Sequence, residues 1–282
     1  MRIIENKNFP NERDLYGESG LILKNCTFTG EEDGESALKE SRDITLEKCV
    51  MDLRYPLWHD RNVVLKDCEM TEKCRAALWY SENIEIYGGK MFGIKALREC
   101  ADITMKNVTV NSPEFGWRSN GIKIEECDIT GEYPFFEASG LKFDRVKLTG
   151  KYSLQYTHDI VIENCVFDTK DSFWHAKNVT VKDSIINGEY LGWYSDGLTL
   201  ERCRIKGTQP FCYCKNLTLI DCITEDADLA FEYSDVNATV NGNIVSVKNP
   251  RSGNITADSI GEIILTDNSK YECNCKITVR KE

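Results

Sequence analysis

The feature that most restricts how this chain can fold is a self-similar segment recurring at a 19-residue interval. Asp43-Ile-Thr-Leu-Glu-Lys-Cys49, Asp159-Ile-Val-Ile-Glu-Asn-Cys165 and Gly197-Leu-Thr-Leu-Glu-Arg-Cys203 are copies of one pattern. Taking the first residue of each copy as an anchor, anchors fall at Gly20, Asp43, Asn62, Asn83, Asp102, Gly121, Gly140, Asp159, Asn178, Gly197 and Asn216, and in weaker form at Asn237 and Glu262. Every step from Asn83 to Asn216 is 19 residues. A period of this length belongs to a solenoid, whose repeats bury their apolar faces only by stacking on one another.

One and three positions after the anchor stand apolar residues, as in Ile103 and Met105, Ile122 and Ile124, or Val179 and Val181, with Thr, Lys or Glu between them. That period of two marks a strand with one buried face. At the fifth position come Asn25, Asp67, Gly88, Asn107, Asn164, Asp183 and Asp221, residue types that most easily adopt left-handed or turn conformations, so the chain is expected to bend there. Positions six and eight turn inward again: Cys26/Phe28, Cys49/Met51, Cys68/Met70, Cys127/Ile129, Cys165/Phe167 and Cys203/Ile205. A third short strand is expected before each anchor, as in Tyr55-Pro-Leu-Trp-His or Glu189-Tyr-Leu-Gly-Trp-Tyr. Three stacked strands per coil predict an all-β fold, a single right-handed parallel β-helix of about 12 coils. Residues 1–19 read as an N-terminal cap, 20–236 as regular coils, and 237–282 as irregular terminal coils with a C-terminal cap, all in one domain.

Two rival repeat folds are weaker. A left-handed hexapeptide helix requires multiples of six, and a leucine-rich repeat requires Leu two residues before the anchor, where Ser41, Asp60, Ser81, Cys100, Ser119, Ala138, Thr157, Ala176 and Ser195 stand. The I-x-I-x-N-C-x-F coils resemble the pectate-lyase and polygalacturonase superfamily of right-handed β-helices. The aromatic coils Lys170-Asp171-Ser172-Phe173-Trp174-His175-Ala176-Lys177-Asn178 and Gly188-Glu189-Tyr190-Leu191-Gly192-Trp193-Tyr194-Ser195 resemble, more closely, a bacterial domain-of-unknown-function family within that superfamily. The resemblance runs from about residue 20 to the C-terminus. It implies a fold and no activity, since fold analogy does not by itself license function.

Composition narrows the partners. A formal charge of -11 disfavours nucleic acid, whose recognition rests on clustered Lys and Arg, and it disfavours polyanionic sugars. No stretch suits a transmembrane segment or a signal peptide, so no membrane role and a cytoplasmic location are expected. Thirteen cysteines in a chain of this length read as free thiols rather than a disulfide framework. The seven at position six face one way in a line, whereas zinc needs convergent ligands; no metal and no cofactor are expected. Cys212-Tyr-Cys214 and Cys273-Asn-Cys275 each supply too few ligands for a metal site on their own.

The pattern breaks down in the third strand, and breaks of this kind are where functional demands show. Four residues before the anchor the column reads Lys39, Trp58, Trp79, Arg98, Trp117, Phe136, Gln155, Trp174, Trp193, Cys212, and it holds all five tryptophans. The next column reads Glu40, His59, Tyr80, Glu99, Arg118, Glu137, Tyr156, His175, Tyr194, Tyr213. Adjacent positions of a strand cannot both face the core. Two readings follow: an aromatic platform for sugar rings using Trp117, Trp174, Trp193 and Tyr213, or a structural ring and ion-pair ladder. Glu137, Tyr156, His175 and Tyr194 fall in one column of four successive coils and form the best acid-base cluster; His59, beside Glu40, Asp60 and Tyr80, is a second. Neither paired carboxylates of the glycosidase kind nor an acidic calcium cluster is evident. The expected function is a carbohydrate-binding or carbohydrate-modifying protein, with lyase, hydrolase or epimerase chemistry if it is an enzyme. The alternative is a non-enzymatic scaffold that engages a protein or self-associates through its exposed strand edges.

Overall fold

The computed structural model describes residues 1–30 and 37–280. It divides into two compact units, Met1–Val146 and Lys147–Glu282. Each is a stack of short parallel strands, without a helix among the described residues, and no helix there is long and apolar enough to cross a membrane. The fold is all-β, a right-handed parallel β-helix with about 14 coils in the two units together rather than about 12.

In the first unit Arg42–Glu47, Arg61–Lys66, Glu82–Tyr87 and Ala101–Lys106 lie side by side, with Ile44 against Val63 and Ile84 against Ile103. In the second, His158–Glu163, Lys177–Lys182 and Asp196–Glu201 do the same, with Ile160 against Val179 and Val179 against Leu198. The inward columns are as expected: Ile44, Leu46, Cys49 and Met51 of one coil, and Ile160, Ile162, Cys165 and Phe167 of another, are buried. The bend at position five is a left-handed residue in coil after coil, with φ of 50° at Asn25, 49° at Asp67, 56° at Asn107 and 55° at Asn164. The anchors are left-handed too, which explains their restriction to Asn, Asp and Gly. Their side chains link the coils, Asn62 Nδ2 donating to Asp43 Oδ1 and Asn83 Nδ2 to Asn62 Oδ1, both at 2.8 Å.

The third strand departs from expectation. Among the described residues only Leu57–Trp58, Leu78–Trp79 and Leu97–Arg98 are strands in this segment, forming a small parallel sheet of their own. In the later coils the corner is a turn, in which the residue five before the anchor is left-handed, with φ of 62° at Phe135, 58° at Leu154, 61° at Phe173 and 62° at Phe211, and Phe231 in the next coil is left-handed too, at 66°. These side chains, with Leu57, Leu78 and Leu97, are fully buried and form a fifth inward column that alternation arguments miss. The left-handed backbone swings a large ring into the core, where Phe211 stacks on Phe231 at 5.8 Å and Phe135 meets Phe115 at 5.4 Å.

Two residues before the anchor, the small side chains that exclude a leucine-rich repeat are buried. Their hydroxyls close the corner: Cys100 N–H donates to Ser119 Oγ at 3.0 Å, and Ser119 Oγ–H donates to the Trp117 carbonyl at 3.2 Å. Asp60 takes this place in one coil, accepting from Ser41 N–H at 2.9 Å through Oδ1 while Oδ2 is buried without a partner. Burial pushes its carboxyl up to about 9, so it is held as the neutral acid.

The ends differ from the expected boundaries in register. Arg2–Glu5 pairs with Ser19–Lys24, Arg2 against Leu21, so residues 1–19 are themselves a 19-residue coil; Arg2 and Lys7 stand where other coils carry apolar residues and disguise it. At the other end Leu217 pairs with Val236, which makes Asp235, not Asn237, the counterpart of Asn216. The step then shortens to 17, Asp235 lying against Ser252, and Glu262 pairs with Ser246 in the far half of its strand instead of acting as an anchor.

An acid whose pKa is raised on folding lowers stability as pH climbs from its unfolded value toward the folded one, because over that window the folded state alone holds the proton. Asp60→Ser, which restores the hydroxyl of neighbouring coils, is expected to raise the melting temperature at pH 8 and to lose that advantage near pH 4. Thermal unfolding followed by circular dichroism at the two pH values checks this.

Candidate functional site

The corner geometry resolves the ambiguous columns. Because the residue three before the anchor is left-handed, with φ of 56° at Tyr156, 54° at His175, 60° at Tyr194 and 61° at Tyr213, it projects outward, and so do Trp174 and Trp193 before it, which are part-exposed, whereas Gln155 and Cys212 at that preceding position stay buried. The core is served by the neighbours on either side of the outward residues.

In the first unit the outer columns form a cation–π and ring ladder. Lys39 Nζ lies 4.4 Å over Trp58, Trp58 stacks on Trp79 at 5.5 Å and 10°, and the Arg98 guanidinium sits 5.6 Å from Trp79 and 5.5 Å from Trp117. Such contacts contribute about 0.5–1 kcal/mol each when exposed and more when desolvated. Lys39 and Arg98, which look like solvent-facing charges in the sequence, are rungs of the ladder. Trp117 is engaged on several sides: Arg98 lies over its ring, Phe136 is tilted against it at 5.3 Å, and its Nε1–H donates to the Tyr133 carbonyl at 2.6 Å. Trp58 and Trp79 keep buried Nε1–H groups without a hydrogen-bond partner. Glu137 belongs to this unit and pairs with Arg118 at 2.7 Å. His59 lies 3.5 Å from Glu40 and edge-on to Tyr80 at 5.1 Å, while Asp60 turns into the core.

The second unit carries an unbroken ring row. Tyr156 stacks on His175 at 4.7 Å, His175 on Tyr194 at 5.0 Å and Tyr194 on Tyr213 at 4.7 Å, with interplanar angles of 11°, 5° and 8°. The backbone supports it: His175 N–H donates to the Trp193 carbonyl at 2.9 Å and Tyr194 N–H to the Cys212 carbonyl at 3.1 Å. Beside it Trp174 and Trp193 stack at 5.4 Å and 6°, each Nε1–H donating to a carbonyl, Tyr190 at 2.8 Å and Gln209 at 2.7 Å. Ring faces are therefore turned toward one another along the stack, and the row meets solvent at its edges. Tyr156 and Tyr194 are 50% and 45% exposed. Burial between its neighbours holds the His175 imidazole below its ordinary value of 6.5, so it is neutral at pH 7 and offers one donor and one acceptor. The sequence-derived acid-base cluster thus divides, with Tyr156, His175 and Tyr194 brought together in the second unit and Glu137 engaged by Arg118 in the first.

A further feature of the second unit was not read from the sequence. A cleft of about 570 Å³ is lined by Glu189, Lys206, Thr208, Asp226 and Asp228, with Gly188 and Gly207 among its walls. A Cβ at Gly188 would lie 1.6 Å from the Thr169 carbonyl oxygen, and one at Gly207 2.1 Å from that of Gly188, so both positions are confined to glycine. The cleft borders the Trp pair through Tyr190, which follows Glu189, meets Trp193 edge-on at 5.5 Å and lies beneath Lys170 Nζ at 5.1 Å. The signal for it was present as Gly131, Gly150, Gly188 and Gly207, all separated by multiples of 19.

A base whose pKa is lowered on folding contributes stability that is present above its unfolded value and lost as pH falls through it. The second unit is expected to lose stability below about pH 6.5, and His175→Phe, which keeps a ring in the row, is expected to flatten that part of the profile. Urea unfolding at pH 5 and pH 8 measures it.

No curated protein matches the chain. Solved structures that resemble it include PfbA, a surface adhesin of Streptococcus pneumoniae, at 10% identity over 89% of this chain and 72% of that one, with a TM-score of 0.38. The Azotobacter vinelandii mannuronan C-5 epimerase AlgE6 A-module is 12% identical over 95% and 76%, TM-score 0.25. The catalytic domain of a GH87 alpha-1,3-glucanase in complex with tetrasaccharides is 9% identical over 99% and 64%, TM-score 0.25. Likeness at this level carries no argument about activity. The sequence itself is more telling: a family model matches residues 2–278, and the chain belongs to that family, described as protein of unknown function (DUF3737).

Proposed function

We propose that this protein binds an extended, uncharged oligosaccharide along the aromatic corner of its second unit, without transforming it. The observation that carries this reading is the parallel row Tyr156, His175, Tyr194 and Tyr213, in which rings recur at 4.7–5.0 Å. One rung per coil, about 4.8 Å, is close to the length of one sugar unit in an extended chain. Ring edges bearing hydroxyls and a neutral imidazole then act as a hydrogen-bonding comb for successive sugar hydroxyls. Trp174 and Trp193 form the apolar flank, and Glu189, Lys206, Asp226 and Asp228 of the adjoining cleft supply further polar contacts. The net negative charge disfavours polyanionic chains. Binding is preferred to catalysis because the one carboxylate of the candidate acid-base cluster, Glu137, is taken up by Arg118, and the ring row itself contains no carboxylate.

A scaffold for a protein partner is the rival, favoured by the exposed apolar residues Ile263, Leu265 and Tyr271 near the C-terminus. Titrating a panel of neutral oligosaccharides while following tryptophan fluorescence separates the two. Saturable binding is expected, weakened roughly fivefold by Tyr194→Phe, as loss of one hydrogen bond of about 1 kcal/mol implies. Unchanged binding in Tyr194→Phe and in Trp174→Ala/Trp193→Ala would overturn the assignment of the site, and no saturable response to any sugar would overturn the function.

A further inference from the structure

The ring row does not stop at Tyr213. Tyr233 in the next coil is left-handed like the others, with φ of 58°. Its N–H donates to the Asn249 carbonyl at 3.0 Å, the same coil-to-coil bond that Tyr194 makes with Cys212 and Tyr213 with Glu232. Its ring lies 5.7 Å from that of Tyr213, tilted by 50°. The corner after it carries no ring, since Asn249 and Pro250 stand there.

A ring from elsewhere in the chain continues the row instead. Asn249, only 1% exposed, turns its amide to the segment beyond the strand Ser252–Ile264: Nδ2 donates to Thr266 Oγ1 at 3.0 Å, and Oδ1 accepts from Thr266 N–H at 2.9 Å. A buried amide satisfied at both ends holds its partner in one geometry. From Thr266 the chain turns, Ser269 N–H donating to the Thr266 carbonyl at 3.0 Å and Ser269 Oγ–H to the Tyr271 carbonyl at 2.7 Å. Lys270 N–H reaches the Tyr233 hydroxyl at 3.4 Å. These bonds set Tyr271 edge-on to Tyr233, at 5.3 Å and 76°. Two cations then close the row: Lys270 Nζ lies 5.2 Å and the Arg251 guanidinium 5.7 Å from the Tyr271 ring, with Arg251 Nε donating to Asp235 Oδ1 at 2.6 Å. Tyr233 is part-exposed and Tyr271 is exposed. The Tyr233 hydroxyl, accepting from Lys270, keeps its own proton for a ligand.

We propose that the carbohydrate site continues over Tyr233 and Tyr271, six rings in all, and favours chains of six sugar units or more. This extension rests on the oligosaccharide reading of the corner. At one rung per unit, the four parallel rings from Tyr156 to Tyr213 serve four units. The two tilted phenols lie past them, so they engage the fifth and sixth units and add nothing to a shorter chain seated on the parallel rings. Length is then read by the number of hydroxyl contacts.

Calorimetric titration with cello-, manno- and xylo-oligosaccharides of two to eight units tests this. In a series that binds, affinity is expected to climb with each unit up to six and then to level. The hexasaccharide is expected to bind about tenfold more tightly than the tetrasaccharide, as two ordinary hydrogen bonds imply once the tetrasaccharide's choice of registers on six rings is allowed for. Tyr233→Phe/Tyr271→Phe keeps both rings in place. It is expected to cut that gain to less than about threefold while shifting tetrasaccharide affinity by no more than about threefold. Equal affinity for four and six units in the wild type, or the full gain surviving in the double variant, would overturn the extension and leave the oligosaccharide reading standing. No binding of any series at any length would overturn that reading and the extension with it.

Discussion

In a stack of parallel coils each main-chain group pairs with its counterpart one coil away, so a side chain at a given position meets the same position above and below it. Everything else in this molecule answers to that rule. A 19-residue step keeps Ile44 against Val63 and Ile160 against Val179. A one-residue slip would carry a whole inward set to the surface. Like on like is favourable for apolar side chains, for amides such as Asn62 and Asn83 and for rings, but not for unscreened charges. Charged positions accordingly alternate in sign, as in Lys24, Glu47 and Lys66, or stack on rings, as Lys39 and Arg98 do.

The corner is where the rule is most demanding. Left-handed backbone costs a residue with a side chain about 1–2 kcal/mol, yet Tyr156, His175, Tyr194 and Tyr213 all adopt it. Two returns offset that cost. Each corner N–H finds a carbonyl in the adjacent coil, as Tyr156 does with Trp174 at 2.8 Å and Tyr213 with Glu232 at 2.7 Å. Each ring also stacks on the next, an arrangement that contributes about 0.5–1.5 kcal/mol beyond burial. The outcome is a row of polar edges repeating every 4.7–5.0 Å, whose stacking restrains the side chains before any ligand arrives.

The two units use the same corner differently. In the first, cations interrupt the ring column and the carboxylates Glu99 and Glu137 are tied to Arg98 and Arg118, so the surface is self-satisfied. In the second, the outer row is aromatic and neutral, and a cleft opens beside it where Gly188 and Gly207 allow no side chain.

The sequence alone determined the all-β solenoid, the 19-residue step, the inward columns at positions one, three, six and eight, and the left-handed bend at position five. Each of these repeats at constant spacing, and periodicity survives projection onto one dimension. It also marked the third segment as the place where simple alternation fails. Only the tertiary structure decided why: a left-handed residue lets Trp174 and His175 both face outward while Phe173 and Ala176 turn inward, and φ is not written in a hydrophobic pattern. Contacts between coils were equally out of reach. That Lys39 covers Trp58, that His175 is sandwiched and neutral, and that Cys273 and Cys275 share the surface while Cys212 and Cys214 do not depend on which neighbours the stack supplies. The end registers were misread for a related reason. Arg2 and Lys7 break the apolar signature without breaking the coil, because main-chain pairing, Arg2 against Leu21, holds the register whatever the side chain.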